Sequence, residues 1–175
     1  MLCMTAIAIS QAATARGVGF YLVPAVAGSL VISRFSRAGV LSAFVCSPAT
    51  LAHELLHLVI GHLTFARPVR LTLWPRRTRD GLYVFGAVEF ENLRWWNAAP
   101  ACLAPLLGFP IAAAGAWWRT QSTSTVGGWD LLVWIALAQL MAGSWPSGTD
   151  WRLAGRSWPY AVIAAACVFG YLNWR

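Results

Sequence analysis

The residues best suited to chemistry form one short motif, His53-Glu54-Leu55-Leu56-His57, inside a long apolar stretch. Two histidines at this spacing lie about 40° apart on a helix, one turn above the other, so both imidazoles can bind one metal ion. A glutamate beside the first histidine can take a proton from the water that the metal activates. The motif therefore predicts a zinc site with His53 and His57 as ligands and Glu54 as general base.

The surroundings of the motif favour a metal site over a structural role. The chain has three histidines, and Glu54 is its only glutamate outside the polar segment 67–94. Ionisable residues in an apolar helix are costly within a bilayer and usually have a function. The alternative is that the motif residues are uncharged core residues. Metal binding explains their types and their spacing together, and we prefer it.

A catalytic zinc site needs a third protein ligand and one open position. His62 lies nine residues after His53, about 180° around the helix, so it faces away from the motif. Asp150 follows a proline-containing turn, on a helix that the predicted topology runs in the same direction as the motif helix. We therefore predict Asp150 as the third ligand; the alternative is that it is the N-cap of the fifth span. The remaining carboxylates that we considered have structural explanations, on a strand face or at a helix start: Glu89, Glu91 and Asp130.

The composition indicates that the bilayer is the main solvent of this chain. Of 175 residues, 58% are hydrophobic and 11% are charged, whereas about a quarter of a typical soluble domain is charged. The apolar runs, many ending in tryptophan, predict about five transmembrane helices. These cover approximately residues 17–33, 40–65, 95–118, 129–145 and 158–174. The predicted fold class is an α-helical polytopic membrane protein, with one membrane domain over residues 1–175 and a metallopeptidase core at about 40–151.

The polar segment 67–94 predicts a small β-hairpin between the second and third transmembrane helices. Residues 69–74 alternate in polarity, residues 82–90 are rich in strand-forming types, and the connection 75–81 ends in Asp80-Gly81. The net charge is +7 and all 13 basic residues are arginine. With five spans, nine of the 13 lie on the hairpin side, which predicts a cytoplasmic hairpin. No nucleic-acid-binding motif accompanies them, so we expect no nucleic-acid partner.

Taken together, these features resemble the site-2 protease family of intramembrane zinc metalloproteases. The resemblance rests on the motif 53–57 within a membrane span and on Asp150 after Pro146 in a later span, with a hairpin and another span between them. No PDZ-like insert is present, so the chain is similar to a minimal or divergent member. The resemblance implies hydrolysis of transmembrane protein or peptide substrates in a bacterial inner (plasma) membrane. It implies zinc binding and water activation by four residues: His53, His57, Asp150 and Glu54.

Two alternative functions keep the same site. The first is a non-catalytic metal-binding membrane scaffold or assembly factor of the same fold, for which Glu54 would be dispensable. The second is a metal-ion transporter that uses the histidines and Asp150 as a transit site.

Two further segments have both a functional and a structural interpretation. Asn97 and Pro100, in the third predicted span, could line a water-filled cavity or pack between helices. The predicted strand 82–90 could hold an unwound substrate segment along its edge, or it could be a plain hairpin strand.

Overall fold

The computed structural model describes residues 2–35, 40–72, 76–77, 83–84, 86–122 and 125–174. The predicted hairpin turn Asp80-Gly81 and three arginines of the topology count, Arg37, Arg79 and Arg175, lie outside these residues. Helices and short strands follow one another along the described chain: α1 (Leu2–Phe35), α2 (Val40–Leu63), β1 (Pro68–Thr72), β2 (Arg76–Arg77), β3 (Tyr83–Val84), β4 (Ala87–Phe90), α3 (Ala98–Cys102), α4 (Gly108–Ser122), α5 (Asp130–Gly143), α6 (Gly148–Ala154) and α7 (Trp158–Trp174). Two 3₁₀ turns, Ala104–Leu107 and Gly155–Ser157, precede α4 and α7.

The prediction of a mostly helical protein with a small β element is confirmed. Within the described residues, two helical segments are long and apolar enough to cross a membrane, Gly17–Arg34 and Phe44–Leu63. A third is added if Asp130–Gly143 and Gly148–Trp174 are counted as one bent span. The number of helices that pass this test therefore falls short of the five spans that the sequence predicts.

The third predicted span, residues 95–118, differs most from expectation. It is not one helix: α3 ends at Cys102, a 3₁₀ turn follows, and α4 begins at Gly108. Pro105 lies in that turn. Proline lacks the backbone N–H and disfavours helical backbone in the residue before it, which explains the break. By contrast, α2 continues without interruption through Pro48.

The chain divides into two compact units. The first unit comprises Met1–Ala52 and Leu107–Ser144, and the second comprises His53–Leu106 and Trp145–Arg175. The sequence prediction of a single membrane domain stays a prediction. In the first unit, buried residues of α1, α4 and α5 form the core: Tyr21, Ala25, Ala112, Ala116 and Leu137. Most of them are small, as is typical where helices pack closely in membranes.

A buried polar network in the first unit joins α1, α4 and α5. Asp130 is fully buried at the first position of α5. It accepts hydrogen bonds from the Tyr21 hydroxyl at 2.5 Å, from the Gly127 N–H at 2.7 Å and from Arg119 Nη2 at 2.8 Å. The sequence predicts the position of Asp130 at a helix start, but it does not predict these hydrogen-bond partners. Because a buried carboxylate is stable only when paired and hydrogen-bonded, this network specifies how the three helices meet.

The predicted hairpin is present in the second unit, and residues 73–74, 82 and 85 of its predicted strands lie outside the described residues. β1 pairs with β4 in antiparallel fashion, with Pro68 opposite Phe90 and Thr72 opposite Ala87, and a bulge interrupts the register after Pro68. β2 pairs with β3, so part of the predicted connection 75–81 is strand rather than loop. Glu89 lies on an exposed face and pairs with Arg70 at 4.0 Å, as expected for a solvated strand.

We predict that Tyr21→Phe lowers the free energy of unfolding by about 2 kcal/mol, since it removes a hydrogen bond to a buried charge. The measurement is reversible unfolding in detergent micelles followed by circular dichroism. Most of this effect should vanish in an Asp130→Asn background, because the charged acceptor is then gone. Tyr160→Phe is the control: this half-exposed hydroxyl donates to the neutral Trp96 carbonyl, so its loss should have a smaller effect. Equal effects of the two substitutions, or additivity with Asp130→Asn, would contradict the assignment.

Candidate metal site

The two histidines of the motif face each other on one side of α2. His53 and His57 are separated by one helical turn, and their Nε2 atoms lie 3.1 Å apart. The rings are nearly perpendicular, with centroids 4.7 Å apart. His57 is buried, at 3% exposure, while His53 is partly exposed. The helical spacing therefore brings both ring nitrogens to one point, as predicted.

Asp150 lies at the same point. Its Oδ2 is 3.4 Å from His53 Nε2, and its Oδ1 is 3.4 Å from His57 Nε2. Within the part of the chain that the structure describes, these three residues form a group whose ligand atoms all lie within 4.8 Å of one another. Such a group could hold a metal ion, and it contains the three residues that the sequence selects as ligands.

Asp150 also takes part in a helix cap, but it is not the N-cap of the fifth span: Ser147 is the N-cap, and the helix is the short α6. Asp150 is the third residue of α6, and its Oδ2 accepts a hydrogen bond from the Ser147 N–H at 2.6 Å. The Ser147 hydroxyl in turn accepts a hydrogen bond from the Asp150 N–H at 3.2 Å. This reciprocal capping box fixes the side chain of Asp150 at the start of α6. This capping role and the ligand role of Asp150 are therefore compatible: the cap holds the carboxylate in the position where it faces the histidines.

A backbone carbonyl orients His57. His57 Nδ1 lies 2.8 Å from the Ala101 carbonyl oxygen. Because a carbonyl only accepts, Nδ1 must carry the proton, and in the neutral ring Nε2 then keeps its lone pair toward His53 and Asp150. The Ala101 carbonyl is available because α3 ends at Cys102, and the last carbonyls of a helix have no partner within it. This is the arrangement expected around a metal-binding histidine.

Glu54 is buried beside this group, at 5% exposure, and is not one of the three clustered ligands. It is close enough to His53, His57 and Asp150 to interact with each of them electrostatically. A carboxylate in this position can accept a proton at the site without occupying a ligand position, as the motif predicts.

Two residues that the sequence does not single out pack against the site. Phe90, the last residue of β4, lies edge-on to His57 with ring centroids 6.4 Å apart. Its ring also lies against Gly61, where an added Cβ would be 2.5 Å from Phe90 Cε1. Gly61 is one turn after His57 on α2, so its lack of a side chain makes room for the ring. The signal in the sequence was a glycine four residues after a motif histidine.

The other residues considered from the sequence lie elsewhere. His62 is exposed, and its Nδ1 donates to the Leu58 carbonyl oxygen at 3.1 Å, which fits the prediction that it faces away from the motif. Asn97 is fully buried and bonded to backbone: its Oδ1 accepts from the Arg94 N–H, and its Nδ2 donates to the carbonyls of Asn92 and Thr64. These contacts favour the packing interpretation of Asn97 over the cavity-lining one.

No protein-family model, curated protein or solved structure matches this chain. The resemblance to the site-2 protease family therefore rests on the motif and on the residues that the fold brings to it.

We predict that the chain purified without chelators carries about one metal ion, and that His53→Ala, His57→Ala and Asp150→Ala each remove most of it. Metal content is measured by mass spectrometry of the purified protein. His62→Ala is the control, because it changes a histidine of the same helix outside the group. A metal-free wild type, or equal metal loss in the control, would contradict the assignment.

We predict that Gly61→Val weakens metal binding by about tenfold or more, because the new side chain displaces Phe90 from His57. The affinity is measured by competition with a chromogenic chelator. Gly170→Val serves as the control, since an added Cβ there meets no other heavy atom within 4 Å. Unchanged affinity in Gly61→Val would show that the ring contact does not position His57.

Proposed function

We propose that this protein is an intramembrane zinc metallopeptidase that hydrolyses peptide bonds of membrane-embedded protein or peptide substrates. One observation carries the proposal: the Nε2 atoms of His53 and His57 and the carboxylate of Asp150 converge beside Glu54. An HExxH helix supplies two ligands and a base, and a residue far along the chain supplies the third ligand. The resemblance to site-2 proteases points to the same set of residues.

The spacing of the ligand atoms supports zinc as the metal. Four atoms arranged tetrahedrally at about 2.0–2.1 Å from zinc are separated from one another by about 3.3 Å. Here the two Nε2 atoms are 3.1 Å apart, and each lies 3.4 Å from one oxygen of the Asp150 carboxylate, His53 from Oδ2 and His57 from Oδ1. Two imidazole nitrogens with one carboxylate oxygen are ordinary zinc donors, and three protein ligands leave a fourth position for water or substrate. Zinc, when bound, supplies a Lewis acid that acidifies water and polarises the scissile carbonyl.

The residues of the chain then have separate tasks. Glu54 accepts the proton of the attacking water and passes it to the departing amine. The Ala101 carbonyl holds the proton of His57 on Nδ1, so the ring does not rotate away from the site. Asp150 is fixed by its capping box, which limits the rearrangement needed during the reaction.

For the membrane arrangement, we propose five spans in a bacterial inner (plasma) membrane, with the hairpin on the cytoplasmic side. The two spanning segments Gly17–Arg34 and Phe44–Leu63 support part of this arrangement. α7 supports it further, because it is strongly apolar and none of its residues is buried by the rest of the protein. Trp158 and Trp174 at its ends match an interfacial aromatic belt. The lipid bilayer is the natural partner of such a helix.

The hairpin offers a route for the substrate. A helical segment must be unwound before its backbone can reach a catalytic site, and an extended segment can be held by pairing with a strand edge. Among the described strands, β4 has β1 as its one neighbour. It ends at Phe90, in ring contact with His57. A segment paired along β4 would therefore be led toward the metal site.

We predict that Glu54→Gln retains the metal but lowers peptidase activity by about 10²–10⁴-fold, because general-base catalysis is lost while all three ligands remain. The assay follows cleavage of fluorescently tagged single-span reporter helices in proteoliposomes, beside metal analysis of the same samples. Arg34→Gln, which neutralises an exposed charge in the last turn of α1, outside the site, is the control and should retain activity. Cleavage that persists in Glu54→Gln would contradict the assignment of Glu54 as general base, whereas metal-loaded wild type that cleaves none of the reporters would favour the non-catalytic scaffold.

A further inference from the structure

A second site lies at the end of α2, apart from the metal ligands. An open cavity of about 440 Å³ begins where this helix ends and the hairpin starts. Its walls carry basic, acidic and apolar side chains: His62, Phe65, Arg67, Pro68, Val69 and Glu91. None of these residues is used by the proposed peptidase mechanism.

The backbone of the cavity wall is held in an unusual conformation. Phe65 and Arg67 have φ of 56° and 50°, in the left-handed region that residues other than glycine rarely adopt. Between them, Ala66 is fully buried. Three hydrogen bonds tie this segment to the end of the hairpin: Asn92 Nδ2 to the Phe65 carbonyl, Asn92 N–H to the Ala66 carbonyl, and Glu91 N–H to the Arg67 carbonyl. The strained backbone is thus fastened in place, a condition often found at ligand-binding sites.

The two charged side chains of the cavity are close but loosely paired. Arg67 Nη1 and Glu91 Oε2 are 3.8 Å apart, and the side chains are 71% and 62% exposed. An exposed pair at this distance contributes little to stability, so each partner can exchange the other for a ligand at small loss. The cavity therefore presents a cation and an anion side by side.

The position along the chain places this cavity at the membrane surface. The apolar segment Phe44–Leu63, long enough to cross a bilayer, ends two residues before Phe65. Beyond it, Phe65 and Val69 remain 71% and 61% exposed although they are apolar. Exposed apolar side chains next to arginines are typical of the interface between lipid tails and headgroups.

We propose that this cavity binds the headgroup of a phospholipid that carries a primary amine, that is, a phosphatidylethanolamine. The phosphate would be held by the Arg67 guanidinium, and the ammonium by the Glu91 carboxylate. The adjacent opposite charges match a zwitterion. A headgroup with net negative charge would meet Glu91 unfavourably, and a quaternary amine would have no N–H to donate to it. This inference does not rest on the metal site and holds whether or not the protein is a peptidase.

The chain itself supplies matched controls. Arg70 and Glu89 form a second arginine–glutamate pair on the same hairpin, 4.0 Å apart and 60% and 56% exposed. This pair has nearly the same geometry and exposure as Arg67–Glu91 but does not line the cavity. Substitutions of Arg70 and Glu89 therefore remove the same charges as substitutions of Arg67 and Glu91, but they change no residue that lines the cavity.

The experiment is native mass spectrometry of the full chain in detergent. It is titrated with phosphatidylethanolamine, phosphatidylcholine and phosphatidylglycerol of identical acyl chains, and with glycerophosphoethanolamine as a free-headgroup arm. We expect wild type to bind phosphatidylethanolamine at least about fivefold more tightly than the other two lipids. Arg67→Ala should weaken binding of all three lipids by about tenfold. Glu91→Gln should abolish the preference for ethanolamine over choline. Arg70→Ala and Glu89→Gln should bind as wild type.

Three outcomes would overturn the proposal. The first is equal binding of the three lipids by wild type. The second is a change in Arg70→Ala and Glu89→Gln as large as in the cavity variants, which would indicate a general charge effect. Tighter binding of glycerophosphoethanolamine than of the intact lipid would identify a soluble phosphate ester as the occupant and also contradict the lipid proposal. Gel filtration and metal content of each variant verify that the fold and the metal site are intact, so failure here is separate from failure of the proposed function.

Discussion

The hydrogen bond from His57 Nδ1 to the Ala101 carbonyl is the interaction on which the second unit depends. It joins the middle of α2 to the end of α3, and it selects the ring nitrogen that faces the metal ligands. In an α-helix the Ala101 carbonyl would accept from the backbone N–H four residues later, but that residue is Pro105, which has no N–H. The proline that interrupts the third predicted span, just after α3 ends at Cys102, therefore also leaves this acceptor available to His57.

The need for hydrogen-bond partners within the protein also explains the contacts of two other buried polar residues, Asp130 and Asn97. In a bilayer no water is present to hydrogen-bond with a buried donor or acceptor, so another group of the protein must do so. Asp130 is met by a hydroxyl, a guanidinium and a backbone N–H. The Asn97 amide oxygen and nitrogen both hydrogen-bond to backbone, and these bonds connect the start of α3 with the segments that follow α2 and the hairpin. These partners come from different elements. The polar residues therefore select one arrangement of the helices, whereas apolar packing alone would allow several.

The hairpin links the two sites of the second unit. Its last strand ends in Phe90, which rests on His57 and on Gly61, and the next residue is Glu91, which lines the cavity at the end of α2. One short segment thus contacts the proposed catalytic centre on one side and the proposed lipid site on the other. In the proposed function, the strand edge that binds substrate, the ring that packs against a histidine ligand and the carboxylate that binds lipid would lie within a few residues of each other.

The sequence by itself determined the helical class, the presence of a hairpin and the residues of the group that could hold a metal ion. Helical spacing alone places His53 and His57 on one side of α2 with Glu54 beside them, because this geometry is local and follows from the rise and turn of a helix. The same spacing predicts that His62 faces away from them, and its exposed position agrees with this. The prediction of Asp150 depends instead on a topology, which is a property of the whole chain.

Only the tertiary structure decided the contacts between elements that are distant in the chain. The Ala101 carbonyl, the ring of Phe90 and the partners of Asp130 carry no sequence signal, because any residue offers a carbonyl and many apolar residues pack. Pro105 is visible in the sequence, but only the tertiary structure shows that the carbonyl it leaves unpaired is bonded by His57. The left-handed backbone at Phe65 and Arg67 was equally hidden, since neither residue type favours it. Local spacing thus determined the reactive residues, and long-range packing determined what orients them.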